Sequence, residues 1–287
     1  MESVLPLKDS VEGRPNYYTY RIDLNYIGSE FSGWQSQPSG KTVQDALEKA
    51  LFVALRKKIR VVGASRTDTG VHAEHQVASF RIDETIDCPR VFRSLQALVP
   101  PSIGILGLTP IATDFHPIKS AHAKLYRYRI WLGPGTNAFI RPYAWTIPYE
   151  LDFAAMKCAS AFFVGRHNFR SFAAVDGSSL TFDRTILDLK WIEKGNGLIE
   201  MYILGEGFLK QMVRNIVGTL VEVGQGKRKP ADVLSIIAAD DRRSAGMTAP
   251  ALGLSLVEIY YAPCPRIAAC YENDDPCFSF VYPLPVV

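Results

Sequence analysis

The chain has 287 residues, of which 47% are hydrophobic and 21% charged, a composition typical of a globular protein with a buried core. Its length allows one large domain or two ordinary ones. The formal charge of +3, from 32 basic and 29 acidic side chains, permits nucleic-acid binding through local patches without requiring it.

Several features indicate a protein of the cytoplasm. No run of 18 apolar residues occurs, so no membrane-spanning helix is expected. Residues 1–16 contain three acidic side chains and no apolar stretch, so we expect a flexible leader and no secretory signal. The odd number of cysteines without a C-x-x-C pair favours free thiols in a reducing compartment. They are Cys88, Cys158, Cys264, Cys270 and Cys277.

The first half of the chain predicts the order strand, helix, strand pair, helix, strand. Residues 20–26 alternate strictly between apolar and polar, as expected of a strand with one buried face. Thr42 and Asp45 resemble a capping box in front of a helix. The further elements are a helix over 43–54, strands at 59–62 and 76–82, a helix that begins at Pro89 and a strand at 103–108. Phe31 and Trp34 lie in a loop, where they either cover the core or contact a ligand.

The second half loosely repeats this order, which is that of a ferredoxin-like split βαβ unit. Its predicted elements are strands at 124–132, 185–192, 198–204 and 252–260 and helices at 151–164, 213–224 and 230–237. The sequence therefore predicts an α+β fold in which two ferredoxin-like halves form one extended antiparallel sheet, with helices on one face and a cleft between the halves. We expect a leader at 1–16, an N-terminal half at 17–115 with the catalytic loop, a C-terminal half at 116–262 and an irregular extension at 263–287.

One loop combines the features of a reactive site. Asp68 lies between two apolar runs, with Arg66 before it and Gly70 after it. Glycine allows a sharp turn that presents the carboxylate. A nearby arginine favours the ionised carboxylate, which can act as a nucleophile. An ordinary Asp-Gly turn with a surface ion pair would have the same local pattern.

The loop resembles the catalytic signature of a known enzyme family. Residues 66–73 read R-T-D-T-G-V-H-A, similar to the G-R-T-D-x-G-V-H-A signature of the TruA family of tRNA pseudouridine synthases. Ser65 takes the place of the usual first glycine. The resemblance implies that Asp68 is the nucleophile.

Three further segments match motifs of the same family in the same order. Residues 124–128 read K-L-Y-R-Y, and the resemblance implies that Tyr126 lies against the target uridine and helps in proton removal. In the second segment, F-L-K-Q-M-V-R-N-I-V-G, Arg214 would hold Asp68 ionised, together with Arg66. In the third, A-P-A-L-G-L, Leu252 would close the uracil pocket. From pattern alone, Tyr126 could instead belong to the core, and Arg214 could reach solvent or pair with a structural carboxylate.

The resemblance implies an isomerase that converts uridine to pseudouridine in the tRNA anticodon stem-loop, at positions 38 to 40. Such a reaction needs no cofactor and no metal. The family works as a homodimer bridged by tRNA, so we expect the same here. His72 and His75 have H-x-x-H spacing, but no further metal ligand is suggested. The basic groups 56–60, 127/129, 227–229 and 242/243 would either line an RNA groove or form ordinary solvated faces.

Two other classes of protein share parts of the pattern. Asp68-Thr69-Gly70 matches the D-T-G of an aspartic protease, but the chain has no second D-T-G or D-S-G to form the required carboxylate pair. A non-catalytic RNA-binding module could also use a ferredoxin-like sheet. That module would need exposed stacking aromatics and would not need Asp68.

Overall fold

A ten-stranded sheet organises the part of the chain that the computed structural model describes, residues 17–133, 135, 137–175 and 179–262. The leader at 1–16, the extension at 263–287 and the last three cysteines lie outside the described residues. The strands are β1 (Tyr18–Tyr26), β2 (Val61–Gly63), β3 (His72–Ile82), β4 (Ile103–Ile111), β5 (Ala123–Leu132), β6 (Trp145–Ile147), β7 (Gly165–Asn168), β8 (Asp183–Gly195), β9 (Leu198–Gly205) and β10 (Leu254–Tyr260). The α-helices are α1 (Val43–Leu55), α2 (Cys88–Leu98), α3 (Phe153–Ala161), α4 (Met212–Gly224) and α5 (Asp232–Ala238).

The strand order is β4-β1-β3-β10-β5-β9-β8-β7, with β2 paired to β3 and β6 paired to β5. The last strand, β10, therefore joins the strands of the two halves at the centre of the sheet. It runs parallel to β3 and antiparallel to β5. The predicted extended sheet of two halves is confirmed, with parallel pairs at β10–β3 and β5–β6 in an otherwise antiparallel arrangement.

The two faces of the sheet are packed differently. Tyr20, Ile22 and Leu24 alternate along β1 and belong to the large core that also contains the buried sides of the helices. A second, smaller cluster includes Tyr202 and Leu204 of β9, which alternate with core residues and so point to the opposite face. In the described part of the chain, the sheet thus has a helix-covered face and a second face without helices, on which charged side chains such as Arg127 and Glu200 lie.

Local signals explain where the helices begin. The side chain of Thr42 accepts a hydrogen bond from the Asp45 backbone at 3.2 Å, which confirms the predicted cap of α1. Asp87 and Asp152 cap α2 and α3 in the same way. None of the helices in the described ranges combines the length and apolar character required to cross a bilayer.

The predicted third helix is too long at its C-terminal end. The helix ends at Ala161, whereas the apolar pattern extends to Val164. Gly165 has a φ of +112° and begins the short strand β7, so the chain leaves the helical path there.

Phe31 and Trp34 are both buried in the core. Of the two predicted roles of these aromatics, covering the core or contacting a ligand, the structure therefore favours the first.

Candidate active site

The loop between β2 and β3 presents Asp68 at a tight turn. The backbone N–H of Val71 donates to the carbonyl of Asp68 at 3.1 Å, and Gly70 has a φ of +81°. A side chain at Gly70 would strain this backbone and would bring its Cβ to 3.2 Å from the Cβ of Ala251. The glycine therefore allows the turn and leaves room for the segment around Ala251.

An ion pair joins the loop to the start of α4. Arg214 Nη1 lies 3.4 Å from Asp68 Oδ2, and the two side chains are only 14% and 18% exposed. The residues are 146 positions apart in sequence. The structure therefore brings together two of the residues that the sequence motifs single out.

The segment before β10 fixes the position of Arg214. Arg214 Nε donates to the carbonyl of Ala249 at 2.8 Å, and the N–H of Ala249 donates to the carbonyl of Arg214 at 3.1 Å. Ala249 is fully buried. Because the backbone holds the guanidinium at Nε, Nη1 is directed to Asp68.

Tyr126 of β5 lies beside this ion pair in a buried position. Its ring packs edge-on against Phe208, with centroids 5.1 Å apart, and its hydroxyl lies 2.6 Å from Ser65 Oγ. Burial raises the pKa of Tyr126 to about 12; the charge of Asp68 acts in the same direction, and the Ser65 hydrogen bond opposes both. Tyr126 is therefore a neutral phenol at physiological pH.

Several hydrogen bonds hold the first part of the loop in place. Gln76 of β3 donates to the carbonyl of Ser65 at 2.8 Å and accepts from its N–H at 3.1 Å. Lys124 donates to the carbonyl of Ala64 at 2.7 Å. Burial lowers the pKa of Lys124 to about 8, and the charge of Arg184 adds to this shift. Ala64 and Ser65 thus belong to a buried network of hydrogen bonds.

Arg66 has a different environment from the one that the sequence predicts. Arg66 is exposed, and in the described part of the chain its side chain forms no hydrogen bond or ion pair with Asp68. Arg214 does pair with the carboxylate. The guanidinium of Arg66 is therefore exposed two residues from Asp68.

His72, the first residue of β3, holds the segment that contains Leu252. The backbone N–H of Gly28 donates to His72 Nδ1 at 3.1 Å, so the proton is on Nε2, which donates to the carbonyl of Leu252 at 3.1 Å. Burial lowers the pKa of His72, which keeps this neutral form. The H-x-x-H spacing pointed only to a metal pair for His72, and nothing in the local sequence indicated that it holds the Leu252 segment. No group of three or more metal-ligating side chains occurs among the described residues.

Most of the basic groups considered for RNA binding have acidic partners. Arg127 and Arg129 both pair with the buried Glu200 on the helix-free face. Lys57 pairs with Asp83 and Glu84, Arg60 with Glu48, Arg228 with Glu222 and Arg243 with Asp241. Apart from Arg243 and Asp241, which are two residues apart, these pairs join separate parts of the chain, so the pattern of basic residues in the sequence could not reveal them.

Comparison with known proteins identifies the family. A family model described as tRNA pseudouridine synthase matches residues 159–262. The protein named tRNA pseudouridine synthase A from Citrifermentans bemidjiense is 39% identical over 242 residues, which cover 84% of this chain and 96% of that protein. The protein of the same name from Acetivibrio thermocellus is 40% identical over 241 residues, and that from Bacillus licheniformis is 42% identical over 243 residues. Each match covers 84% of this chain and 98% of the relative. The chain belongs to the tRNA pseudouridine synthase A family.

Membership in the tRNA pseudouridine synthase A family confirms the resemblance seen in the motifs. It also decides against the aspartic protease and the non-catalytic RNA-binding module, because the family consists of isomerases. Three of the four motif segments meet in space through the Asp68–Arg214 ion pair and the Ala249 backbone, and the segment with Tyr126 joins them through the hydroxyl of Ser65.

Proposed function

We propose that this chain isomerises uridine to pseudouridine at positions 38 to 40 of the tRNA anticodon stem-loop, with Asp68 as the nucleophile. Membership in the tRNA pseudouridine synthase A family supports the reaction and the tRNA substrate. The observation that carries the choice of Asp68 is its half-buried ion pair with Arg214, a residue of another family motif. A homodimer in the cytoplasm, with tRNA bridging both protomers, is part of the same proposal.

The reaction breaks the bond between uracil N1 and ribose C1′ and forms a bond between C5 and C1′. The Asp68 carboxylate adds to the nucleoside, at C6 of the uracil or at C1′ of the ribose, and leaves again when the detached base has turned and rejoined through C5. The C5 proton is then lost and N1, which has given up its bond to C1′, takes up a proton, so atoms and charge balance without an oxidant. The Arg214 ion pair favours the ionised carboxylate that the first step requires.

The other site residues have supporting roles in this proposal. Tyr126 packs on the target base and assists in removal of the C5 proton; stacking on an aromatic ring offsets about 1–3 kcal/mol of the lost base stacking. The uridine leaves the helical stack to reach the site, which is least costly near a loop. Exposed Arg66 contacts the RNA backbone next to the flipped nucleotide, and Leu252 forms an apolar side of the uracil pocket.

The experiment compares Asp68→Asn with the wild-type protein on undermodified tRNA that carries tritium at C5 of uridine. We expect tritium release by the wild type and a loss of at least about a thousandfold in the variant, because an amide is not a nucleophile of comparable strength. RNA affinity is measured in parallel and is expected to persist. Equal release by the two proteins would overturn the role of Asp68, and binding without release by either would overturn the proposed activity.

A further inference from the structure

The side chain of Ser65 makes one contact that bears on the reaction. Its hydroxyl lies 2.6 Å from the hydroxyl of Tyr126, in a pair of buried groups 61 residues apart in sequence. The family signature usually has a glycine at this position, which cannot form such a contact. We infer that Ser65 is a positioning residue that holds the Tyr126 phenol in its working orientation against the target uracil. This inference rests on the proposed function.

The backbone of Ser65 is fixed on both of its hydrogen-bonding groups. Gln76 pairs with the N–H and the carbonyl of Ser65 and is itself fully buried. Lys124 holds the preceding carbonyl at Ala64. These bonds hold the main chain of Ser65 in place. Its hydroxyl can therefore bond to Tyr126 with little further loss of conformational entropy.

Tyr126 has few other restraints on its polar end. Phe208 contacts the ring edge-on and limits its tilt, but an edge contact between rings does not fix the direction of the hydroxyl. Without Ser65 the phenol oxygen would lose its hydrogen-bond partner in a buried position, which costs free energy unless the ring moves. The Ser65 bond therefore keeps the ring in the position from which it meets the substrate.

The chain contains a closely matched control for this bond. Tyr20 of β1 is also buried, and its hydroxyl accepts a hydrogen bond from the backbone N–H of Ile86 at 3.1 Å. Among the described residues, this bond involves none of the groups that hold Ser65 or Tyr126. Loss of the Tyr20 hydroxyl should lower stability but should not affect the reacting groups.

The test is a double-mutant cycle with Ser65→Ala, Tyr126→Phe and the combined variant, measured by tritium release. We expect Ser65→Ala to lower kcat by about five- to tenfold with little change in KM, the range for loss of one hydrogen bond. In the Tyr126→Phe background the same substitution should have no further effect, because there is no hydroxyl left to position. The control Tyr20→Phe should keep kcat within about twofold of the wild-type value.

Unfolding measurements on the same variants provide a readout that does not depend on activity. The two substitutions should be non-additive in the free energy of unfolding if the bond exists in solution. Ser65→Gly serves as a second variant and should match Ser65→Ala in kcat. An unchanged kcat in Ser65→Ala, or an equal loss of kcat in the Tyr126→Phe background, would overturn the inference. Failure of the proposed function would give a result different from these two outcomes: the wild type would release no tritium, or Asp68→Asn would be fully active.

Discussion

At the scale of single residues, the arrangement of Arg214 explains why an arginine is needed at the start of α4. Its Nε–H is used by the Ala249 carbonyl, while Nη1 is directed to Asp68. A guanidinium can bond to two partners in fixed directions because its five N–H groups lie in one plane. A lysine has a single ammonium group, which cannot bind the backbone and hold the carboxylate with the same geometry.

Arg214→Lys should therefore lower kcat although the charge is kept. We expect a loss of about 10- to 100-fold, comparable to removal of one well-placed electrostatic group in an active site. The matched control is Arg228→Lys, which changes an arginine that pairs with Glu222 beyond the same helix. Single-turnover tritium release measures the effect on chemistry. A change confined to RNA affinity, with full kcat, would contradict the role assigned to the ion pair.

At the scale of secondary structure, α4 and the segment at 247–249 must come very close together. A Cβ on Gly218 would lie 1.7 Å from the carbonyl oxygen of Met247, so no larger residue fits without movement of the backbone. Asn215, one turn earlier, accepts hydrogen bonds from Arg242 and Thr248 and donates to the Phe172 carbonyl. The same helix thus orients Arg214 and binds the segment that holds it.

Gly218→Ala should destabilise the protein in spite of the better helix propensity of alanine. The propensity gain is about 1 kcal/mol. The backbone shift required in a packed interior costs about 1–3 kcal/mol or more, so we expect a net loss of stability. The free energy of unfolding measures it. As a control, Gly135→Ala places a Cβ where no atom of the described residues beyond its chain neighbours lies within 4 Å, and it should have little effect. Unchanged stability of the Gly218 variant would show that the close contact with Met247 is not maintained in solution.

The sequence predicted long elements well and short or distant ones poorly. Strands and helices whose apolar residues repeat several times at a regular spacing, such as β1 and α1, were predicted close to their observed bounds. The strands β6 and β7 have three and four residues, too few to show alternation. Parallel pairing of β10 with β3 was also not predicted, because pairing partners far apart in sequence leave no local signal.

For the candidate site, the motifs identified the residues but not their contacts. Asp68 and Arg214 were predicted to meet, and they do. Arg66 was expected to contact the same carboxylate, but its position on the loop directs it to solvent. The bond between Ser65 and Tyr126 depends on how two distant strands are placed, so the local sequence could not predict it.

At the scale of the whole molecule, side-chain ion pairs cross the junction of the two halves on the helix-free face. His75 of β3 contacts Asp23 of β1 through Nε2 at 2.8 Å and Glu258 of β10 through Nδ1 at 2.7 Å. Arg127 of β5 reaches over β10 to Glu74 of β3. Only two residue pairs define the register of β10 against β3. Charged side chains therefore contribute to holding the halves together.

The His75 contacts predict a loss of stability at alkaline pH. Burial lowers the pKa of His75, but the hydrogen bonds and charges of Asp23 and Glu258 outweigh it and raise the pKa to about 9 from 6.5. Because the folded-state pKa is the higher one, the stabilisation is complete below the unfolded value and disappears as pH rises through about 9. We expect a contribution on the order of 2 kcal/mol, reduced by the partial exposure of the cluster.

Denaturant unfolding of the wild type and His75→Gln at pH values from 6 to 10 measures this contribution. The difference in unfolding free energy between the two proteins should be largest at pH 6 and should shrink towards pH 10, because only the wild type loses a bound proton from this cluster in the folded state. Taking the difference also removes the effect of other groups that titrate in this range, such as Lys124, whose pKa is about 8. His122→Gln, at an exposed histidine, is the control and should follow the wild-type profile. A difference that is constant with pH would mean that His75 joins the two halves as a neutral side chain, by packing alone.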